Sequence, residues 1–461
     1  MNRIWERIYN HDSITAKALM ILPSYKVFRD TYKFLQKSQW WSREQLEEYQ
    51  LQQLNKLLNH AYENVPYYKK VFDERGLKPK DIQDFKDLQE LPFLTKEIIR
   101  DNLNDLKARK YPAEKLEYVT TGGSTGIPLG LYYEKGVSRA IEWAFIKMQW
   151  DRVGYHFRDK CVILRGNVVK SADKGKLWEY SLFGRWLILS SYHMTDENLP
   201  KYIEKIRKFK PKFIQAYPSA ITILARFMRE NNIEPFSTVK AILCGSENLY
   251  PWQRELLEEV FQCRVYSWYG HAEMAVLAGE CEVNSHYHVF PEYGIVELIN
   301  KNWKLVTDEN EVGEIVATSL NNFACPLIRY CTMDLAVPSN AKCECGRNYP
   351  LLERVEGRLQ ELIITGTGRL ISMTAINMHS DVFDNVEQFQ FLQEKEGEVI
   401  FNVVKKDTYT ERDTGYIRRE LLKKLGVDMK LEIRFVDRIP RTQRGKYRFL
   451  IQKLPIEFGD L

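Results

Sequence analysis

The sequence predicts an α/β protein with a large N-terminal α/β domain and a small, mobile α+β C-terminal domain. Between about residues 115 and 355, short β-rich runs alternate with amphipathic segments, which is typical of a mainly parallel sheet covered by helices. After Gly357-Arg358 the pattern changes to strands with one helix, which indicates a second unit. Because 461 residues exceed one typical domain, we expect domains at 1–357 and 358–461.

The predicted elements follow from local signals along the chain. A helical segment covers about residues 1–110, and the capping box Ser42-Arg43-Glu44-Gln45 precedes its long helical pattern Leu46–Asn64. Further strands are predicted at Cys161–Leu164, Phe213–Ala216, Val239–Cys244, Arg264–Tyr269 and Gly294–Leu298, and helices at Asp196–Phe209, Ser219–Asn231 and Pro251–Phe261. In the C-terminal unit we expect strands near Leu362–Ile364, Phe389–Gln393, Val399–Val404 and Leu431–Phe435, and a helix near Gly415–Leu425.

Composition excludes several classes of protein. A hydrophobic content of 44% is too high for a disordered chain, and a net charge of +5 is no footprint for nucleic-acid binding. The N-terminus lacks the order of a signal peptide, and no apolar run approaches the roughly 18 residues of a membrane span. We therefore expect a cytoplasmic protein that is not an integral membrane protein.

The most informative segment is a loop of small and hydroxyl residues between two extended runs. Its three glycines allow the backbone to wrap closely around a phosphate, and its hydroxyls can donate to phosphate oxygens. A Walker-type loop would continue with Gly-Lys-Ser/Thr, which is absent, so the open alternatives are a different phosphate loop and a flexible turn. The candidate residues are Thr120, Thr121, Gly122, Gly123, Ser124, Thr125 and Gly126.

Four further segments follow this loop in order. Leu243–Leu249 and Trp268–Glu273 each end a predicted strand in a polar turn, at the sheet edge where open α/β sheets bind ligands. Ile328–Asp334 contains a second carboxylate, and Ile439–Lys446 forms a polar loop near the C-terminus.

Together these motifs resemble the adenylate-forming superfamily, and more closely its phenylacetate–CoA ligase branch with the CapK-like proteins of polysaccharide gene clusters. Asn64–Lys69 and Leu91–Lys96 resemble the N-terminal signatures of that branch. The resemblance implies that a small carboxylic acid attacks the α-phosphate of ATP, giving an acyl-adenylate and pyrophosphate. An acceptor then displaces AMP, and the acceptor is either the thiol of CoA or an amine or sugar hydroxyl.

The resemblance also implies roles for individual residues. Lys446 would bridge the carboxylate and the α-phosphate, Glu273 would hold Mg²⁺, and Thr125 in the loop would act with them as a catalytic residue. Around the nucleotide, Glu247 and Tyr269 with Gly270 would lie beside adenine, Asp334 would bind the ribose hydroxyls, and Arg358 matches a hinge pair. The sequence reads Thr332-Met333-Asp334 where the family often has Thr-Gly-Asp, and Gln360 replaces the usual hinge aspartate.

Other residues have alternative interpretations. Tyr217 and Ser219 resemble a wall of the acyl pocket, and His271 either lines that pocket or is a structural histidine. Cys281, His288, Cys343 and Cys345 match a structural zinc site found in part of the branch, with His286 as a competing ligand and metal-free thiols as the alternative.

Three functions follow from the resemblance. The N-terminal Gln39-Trp40-Trp41-Ser42 favours a CapK-like role in a surface-polysaccharide pathway over an aryl- or acyl-CoA ligase. The third is an inactive nucleotide-binding assembly protein. Homodimer formation stays open.

Overall fold

A computed structural model describes most of the chain, and its residues fall into two compact units. The first unit comprises Met1–Arg158 and Trp268–Arg354, and the second comprises Asp159–Ser267 and Val355–Leu461. The predicted domain boundary between residues 357 and 358 stays a prediction. The described residues are 23–121, 129–156, 159–166, 169, 175–181, 185–306, 308–309, 311–358, 361–373, 376, 380–442, 447–454 and 456.

Nine α-helices lie within the described ranges, and Ser42 forms the predicted capping box with Gln45 at the start of the second. None of these helices is both long enough and apolar enough to cross a membrane. The helices are α1 (Pro23–Ser38), α2 (Arg43–Asn64), α3 (Pro66–Glu74), α4 (Lys96–Asp101), α5 (Ser138–Arg152), α6 (Leu199–Phe209), α7 (Pro218–Glu230), α8 (Pro251–Phe261) and α9 (Glu411–Leu425).

The strands follow the same chain order. They are β1 (Leu116–Thr120), β2 (Gly130–Glu134), β3 (Cys161–Leu164), β4 (Trp178–Tyr180), β5 (Trp186–Leu189), β6 (Phe213–Ala216), β7 (Ala241–Gly245), β8 (Arg264–Gly270), β9 (Leu277–Gly279) and β10 (Tyr287–Val289). The remaining strands are β11 (Gly294–Ile299), β12 (Gly313–Ser319), β13 (Tyr330–Ser339), β14 (Leu351–Arg358), β15 (Leu362–Ile364), β16 (Leu370–Ser372), β17 (Val386–Lys395), β18 (Glu398–Lys405), β19 (Lys430–Phe435) and β20 (Leu450–Gln452).

The first unit contains antiparallel strands joined by short connections. Strands β11, β12 and β13 pair in sequence order, and β10 pairs with β9 on one side and with β14 on the other. The C-terminal end of β8 pairs with β9, and β1 pairs with β2 as a separate hairpin. A mainly parallel sheet was expected here, but the connections from β8 to β9 and from β9 to β10 are too short for the crossover that parallel strands require.

The second unit holds the parallel strands that the sequence predicted. Strands β7, β6, β3 and β5 are neighbours and run parallel, and β4 adds an antiparallel edge. Helices α6, α7 and α8 alternate with these strands along the chain. A second sheet in the order β19-β18-β17-β20 carries α9, so this part has the predicted α+β composition.

Residues 201–212 are rich in lysine and arginine, and most of them belong to the amphipathic helix α6. The apolar stripe of α6 is buried, including Leu199, Tyr202 and Ile206, while Lys201 and Lys208 are exposed. This stripe joins a continuous apolar core that includes Ile214, Leu224 and Leu257 and extends to Phe401 and Leu421. The basic residues therefore form the solvated face of an amphipathic helix.

Three non-glycine residues in the motif segments have a left-handed backbone. The φ angles are 68° at Ser246, 51° at Arg329 and 65° at Met333. Such angles cost free energy in residues that carry a Cβ atom, and they cluster at functional sites in proteins. At Met333 the left-handed conformation explains why glycine is common there in the family that the motif resembles.

The backbone angle at Met333 gives a stability prediction. We expect Met333→Gly to unfold at a higher temperature than Met333→Ala, because both remove the long side chain but only glycine relieves the left-handed strain. A net gain near 1 kcal/mol corresponds to about 2 °C or more for a unit of this size. Thermal unfolding followed by circular dichroism tests this, and an alanine variant as stable as the glycine variant would show that the backbone there is not strained.

Candidate functional site

The predicted phosphate loop connects the two strands of the β1–β2 hairpin. Directly before the loop, the Thr121 N–H donates to the Leu129 carbonyl at 2.9 Å, and the Leu129 N–H donates to Oγ1 of Thr121 at 3.0 Å. These hydrogen bonds bring the ends of the loop together, and Thr120 is exposed at the end of β1. The other predicted loop residues lie outside the described part of the chain: Gly122, Gly123, Ser124, Thr125 and Gly126.

Tyr269 and Asp334 are brought together in the first unit. The Tyr269 hydroxyl donates to Oδ2 of Asp334 at 2.7 Å, although 65 positions separate the two residues along the chain. Tyr269 lies at the end of β8, and Asp334 is buried within β13. An aromatic face beside a carboxylate can stack on a heteroaromatic base and accept hydrogen bonds from neighbouring hydroxyls.

The neighbouring Gly270 has a clear packing role. It pairs with Leu277 across the β8–β9 ladder, and a Cβ atom at this position would lie 2.3 Å from Cδ2 of Leu277. A larger residue would therefore displace Leu277 and shift the end of β8. Its predicted contact with a nucleotide stays a prediction.

Hydrogen bonds hold the backbone around Asp334. Oγ1 of Thr332 donates to the Ile315 carbonyl at 2.7 Å and accepts from the Asp334 N–H at 3.1 Å. The Met333 N–H donates to Oε1 of Glu314 at 2.8 Å. Because the segment is fixed on both sides of Asp334, its carboxylate has a defined position.

Glu273 is buried at the turn that follows β8. The Tyr330 hydroxyl donates to its Oε1 at 2.9 Å, and Nδ1 of His271 lies 3.2 Å from its Oε2. Burial by itself raises the pKa of Glu273, but His271, Lys96 and Tyr330 outweigh burial and lower the pKa to about 2. Glu273 is therefore ionised at neutral pH, and carboxylate oxygens are ligands that Mg²⁺ prefers.

Lys96 belongs to this site, and the sequence reasoning did not assign it a role. Its Nζ donates to the Thr332 carbonyl at 3.0 Å, and its charge helps to lower the pKa of Glu273. Burial raises the pKa of Glu314 to about 7, and the charge of Lys96 opposes that rise. The Leu91–Lys96 motif brings it there, since Leu94 forms a parallel bridge with Tyr330. The Leu91–Lys96 motif could have drawn attention to Lys96, but its pairing with the distant Tyr330 could not be predicted from the sequence.

Arg329 anchors the same motif. Its guanidinium donates to Glu297 at 3.0 Å and 2.9 Å, and to the carbonyls of Gln89 and Leu91 at 3.0 Å and 2.7 Å. The guanidinium carbon lies 4.2 Å from the ring centroid of Phe93. Arg329 is thus a buried structural cation, fully paired before any ligand arrives.

Glu247 links two segments of the second unit. Its Oε2 accepts from the Ser219 N–H at 3.0 Å, and its Oε1 accepts from Oγ of Ser219 at 3.2 Å and from the Tyr447 N–H at 3.3 Å. The carboxylate therefore lies at the N-terminus of α7, where the helix dipole favours negative charge. Lys446, which precedes Tyr447, is outside the described residues.

The predicted acyl-pocket residues of the second unit lie around the start of α7. The Tyr217 N–H donates to the Leu164 carbonyl at 2.9 Å, and its ring lies 5.9 Å from the guanidinium carbon of Arg165. Ser219 is buried and bound to Glu247. Contact of either residue with an acyl group stays a prediction.

The predicted hinge lies at the end of β14. Arg358 is the last residue of that strand, and Gly357 before it has a φ of 104°. A Cβ atom on Gly357 would lie 2.2 Å from Nδ2 of Asn248, which itself donates to Oε2 of Glu361 at 3.0 Å. Glycine is therefore required here both by its backbone angle and by space.

Cys281, His288, Cys343 and Cys345 form one cluster, called here the Cys/His cluster. Their four ligand atoms lie within 4.8 Å of one another. The sulfurs of Cys281 and Cys343 are 3.5 Å apart, and the sulfur of Cys345 is 3.3 Å from Nε2 of His288. These separations approach the edges of a tetrahedron around zinc, which are about 3.8 Å between two sulfurs.

Electrostatics in the Cys/His cluster also suit a cation. Burial raises the pKa of Cys345, but hydrogen bonds from His288 and Arg347 outweigh it and lower the pKa to about 6. Burial and the neighbouring thiols raise the pKa of Cys343 to about 12, so a nearby positive charge would favour its thiolate. Nδ1 of His288 donates to the His286 carbonyl at 3.3 Å, which leaves Nε2 of His288 to face the sulfurs.

The candidate residues are distributed over both units. The first unit brings together Tyr269, Gly270, His271, Glu273 and Asp334, and it also holds the Cys/His cluster. The second unit carries Tyr217, Ser219, Glu247 and Arg358.

Comparison with known proteins agrees with the sequence resemblance. Residues 363–453 match the family described as the CapK C-terminal domain. Protein CapK of Staphylococcus aureus is 27% identical over 97% of this chain and 99% of its own length. The phenylacetate-coenzyme A ligase of Aromatoleum evansii is 26% identical over 90% of this chain and 96% of its own length.

Solved structures share the fold. A 2-hydroxyisobutyryl-CoA ligase in the postadenylation state, in complex with R3-HIB-AMP, aligns with a TM-score of 0.71 and 19% identity. The alignment covers 90% of this chain and 93% of that chain. The same ligase in the thioesterification state, in complex with 2-HIB-AMP and CoA, aligns with a TM-score of 0.59. Over most of its length the chain is therefore similar to CapK and to the phenylacetate-coenzyme A ligases, and it shares the fold of the solved CoA ligase.

Proposed function

We propose that this chain activates a carboxylic acid with ATP and transfers the acyl group to an acceptor. In the first half-reaction a carboxylate oxygen forms a bond to the α-phosphorus, and pyrophosphate leaves. In the second, the acceptor attacks the acyl carbon, and AMP leaves. The observation that carries the proposal is the hydrogen bond between Tyr269 and Asp334 beside the ionised Glu273.

The nucleoside part of ATP would bind against Asp334 and Tyr269. Asp334 would accept hydrogen bonds from the ribose hydroxyls, and the ring of Tyr269, with Gly270 beside it, would cover the adenine. Glu247 would lie on the adenine side as well. We assign the β- and γ-phosphates to the loop at Thr120–Gly126, because backbone N–H groups in such a loop converge on an anion.

Glu273 would hold Mg²⁺ in this assignment. The fit rests on the chemistry of the site, since its buried carboxylate is ionised and its hard oxygen atoms suit a hard cation. When bound, Mg²⁺ would neutralise charge on the phosphate oxygens. The Tyr330 hydroxyl orients the carboxylate through its hydrogen bond to Oε1, and Nδ1 of His271 lies beside Oε2.

Lys446 is our candidate for the catalytic cation, acting with Thr125 of the phosphate loop. A lysine ammonium would neutralise the charge that develops between the carboxylate and the α-phosphate. The contact between Glu247 and the Tyr447 N–H supports a defined path for the chain directly after Lys446. We keep a domain boundary at 357/358 and Arg358 as part of the hinge, because Gly357 has a backbone angle that other residues rarely adopt.

Two acceptors remain for the second half-reaction. The CapK match extends over 99% of that protein, which favours an amine or hydroxyl on a sugar or carrier in a surface-polysaccharide pathway. The phenylacetate–CoA ligase match covers 96% of that enzyme, which favours the thiol of CoA. A cytoplasmic location and a homodimer stay predictions under either alternative, and an inactive assembly protein is disfavoured because Glu273, Asp334 and Lys446 are all present.

We also propose that the Cys/His cluster holds a structural Zn²⁺. Four soft or borderline ligands would close a tetrahedron without an open position, so the ion would stabilise the fold and take no part in the reaction. His288, and not His286, would be the nitrogen ligand, since its Nε2 lies beside the sulfur of Cys345.

Removing the ammonium of Lys446 tests the reaction. We expect Lys446→Ala to lower acid-dependent pyrophosphate release by about 10²–10³-fold, the range found when one charge-stabilising group is lost. The affinity for ATP should change little, because Lys446 acts in the transition state. Lys453→Ala is the matched control, since Lys453 is an exposed lysine paired with Glu394. Wild-type rates in Lys446→Ala would exclude Lys446 as the catalytic cation.

The zinc proposal has its own test. Protein purified in reducing buffer without chelator should carry about one zinc per chain, and Cys343→Ser should lower both the zinc content and the unfolding temperature. Cys263→Ser is the control, because Cys263 is a partly buried thiol that does not belong to the Cys/His cluster. Elemental analysis that finds no zinc in the wild-type protein, or equal zinc in Cys343→Ser, would contradict the assignment.

A further inference from the structure

We propose that the acyl pocket is polar and that His271 and Glu142 together recognise a hydroxyl or ammonium group on the substrate acid. This inference rests on the proposed acid activation and adds the chemical class of the acid. It predicts a hydroxy- or amino-substituted acid in place of a purely aryl or alkyl one. It is based on two polar side chains of the first unit that their described protein neighbours leave incompletely bonded.

His271 is the first member of this pair. Its side chain is 9% exposed, and neither ring nitrogen makes a hydrogen bond with the described residues. Nδ1 lies 3.2 Å from the Glu273 carboxylate but outside hydrogen-bond geometry, and Nε2 has no such neighbour. The ring lies between Tyr269 and Tyr330, each with a centroid separation of 6.2 Å. An unsatisfied buried nitrogen costs free energy, so this ring is suited to a polar partner that arrives with the ligand.

Glu142 is the second member, and it lies on helix α5. Its Oε2 accepts a hydrogen bond from the buried Tyr293 hydroxyl, while among the described residues Oε1 makes no hydrogen bond. Burial raises the pKa of Glu142 to about 7, although the Tyr293 hydroxyl, His271 and Arg139 oppose this. Arg139 does not neutralise the carboxyl group directly, because it forms a two-pronged ion pair with Glu117 at 2.8–3.0 Å.

Further contacts connect the two residues. The Tyr133 hydroxyl donates to the carbonyl of Ala272, the residue between His271 and Glu273. The charges of Glu142 and Glu273 both raise the pKa of Tyr133, and the pKa of Tyr293 responds to the same two carboxyls. Strand β2, helix α5 and the turn after β8 therefore converge on one polar cluster next to the proposed Mg²⁺ ligand.

Hydrogen-bond capacity identifies the ligand class. An ionised carboxylate only accepts hydrogen bonds, whereas an imidazole ring donates at least one in either charge state. A ligand hydroxyl can donate to Glu142 and accept from His271, and an ammonium can donate to Glu142. An unsubstituted acyl chain would leave both groups without a ligand partner, and sites built to bond a hydroxyl or amine strongly reject analogues that lack it.

Matched acids of equal length test the inference. Pyrophosphate release is measured with 3-hydroxybutyrate, 3-aminobutyrate and butyrate, with phenylacetate as the aryl alternative. We expect kcat/KM for the hydroxy or amino acid to exceed that for butyrate at least about tenfold. Which substituted acid is preferred distinguishes a hydroxyl from an ammonium ligand. A preference for butyrate or phenylacetate would overturn the proposal.

Variants separate recognition from a structural role. His271→Phe and Glu142→Leu should each lower the ratio of kcat/KM between substituted and unsubstituted acid about tenfold, whereas a structural role would lower both values alike. Glu142→Gln keeps an acceptor without charge, so it should retain a preference for a hydroxyl and lose one for an ammonium. Glu114→Gln, an exposed carboxylate outside the cluster, is the control.

The outcomes also distinguish this inference from the proposed function. If wild-type protein activates acids without preferring the substituted ones, the polar pocket is excluded and the ligase activity stands. If no acid on a wider panel supports pyrophosphate release, the proposed activity fails, and this inference fails with it. Unchanged ratios in His271→Phe and Glu142→Leu, with unfolding temperatures equal to that of the wild type, would also overturn the inference.

Discussion

Much of the candidate site depends on one hydrogen bond, from the Tyr269 hydroxyl to the Asp334 carboxylate. It joins the end of β8 to the middle of β13 and thereby fixes two groups suited to one ligand. Because Asp334 is buried, its position is set by the protein and not by solvent. The backbone hydrogen bonds of Thr332 and Met333 then hold β13 in place around it.

A second constraint is that the charged side chains buried in the first unit need partners or a shifted pKa. The guanidinium of Arg329 donates its hydrogen bonds to Glu297 and to backbone carbonyls. Arg329 therefore stabilises the Leu91–Lys96 motif and is not a candidate for ligand binding. Lys96 and His271 keep Glu273 ionised despite its burial, which preserves a hard anionic ligand. At Glu142 burial outweighs the Tyr293 hydroxyl and the charges of His271 and Arg139, so its pKa is raised instead. The surroundings of Glu273 and Glu142 thus shift the pKa values of the two carboxyl groups in opposite directions.

The sequence predicted elements best where local signals are strong. Cys161–Leu164 and Pro251–Phe261 have the predicted bounds, because the first is a short apolar run and the second begins with a proline at its first helical position. The sequence predicted a mainly parallel sheet, whereas the first unit contains antiparallel strands. Strand direction depends on the connections and on which strands pair, and a local pattern of residues shows neither. The Leu94–Tyr330 bridge and the Tyr269–Asp334 contact join distant segments, and periodicity carries no information about such pairings. For the same reason the sequence predicted no role for Lys96 or Glu142, although it did predict roles for Glu273 and Asp334.

The central claim is that Asp334 and Tyr269 form a nucleotide site, and equilibrium binding of ATP tests it without requiring the correct acid. Isothermal titration calorimetry should find ATP binding by wild-type protein in the presence of Mg²⁺. Asp334→Asn, which keeps the size of the side chain but loses its charge, should weaken binding by about tenfold, because a charge-assisted hydrogen bond is lost. Equal ATP affinity in wild type and Asp334→Asn, with both proteins folded, would contradict the account.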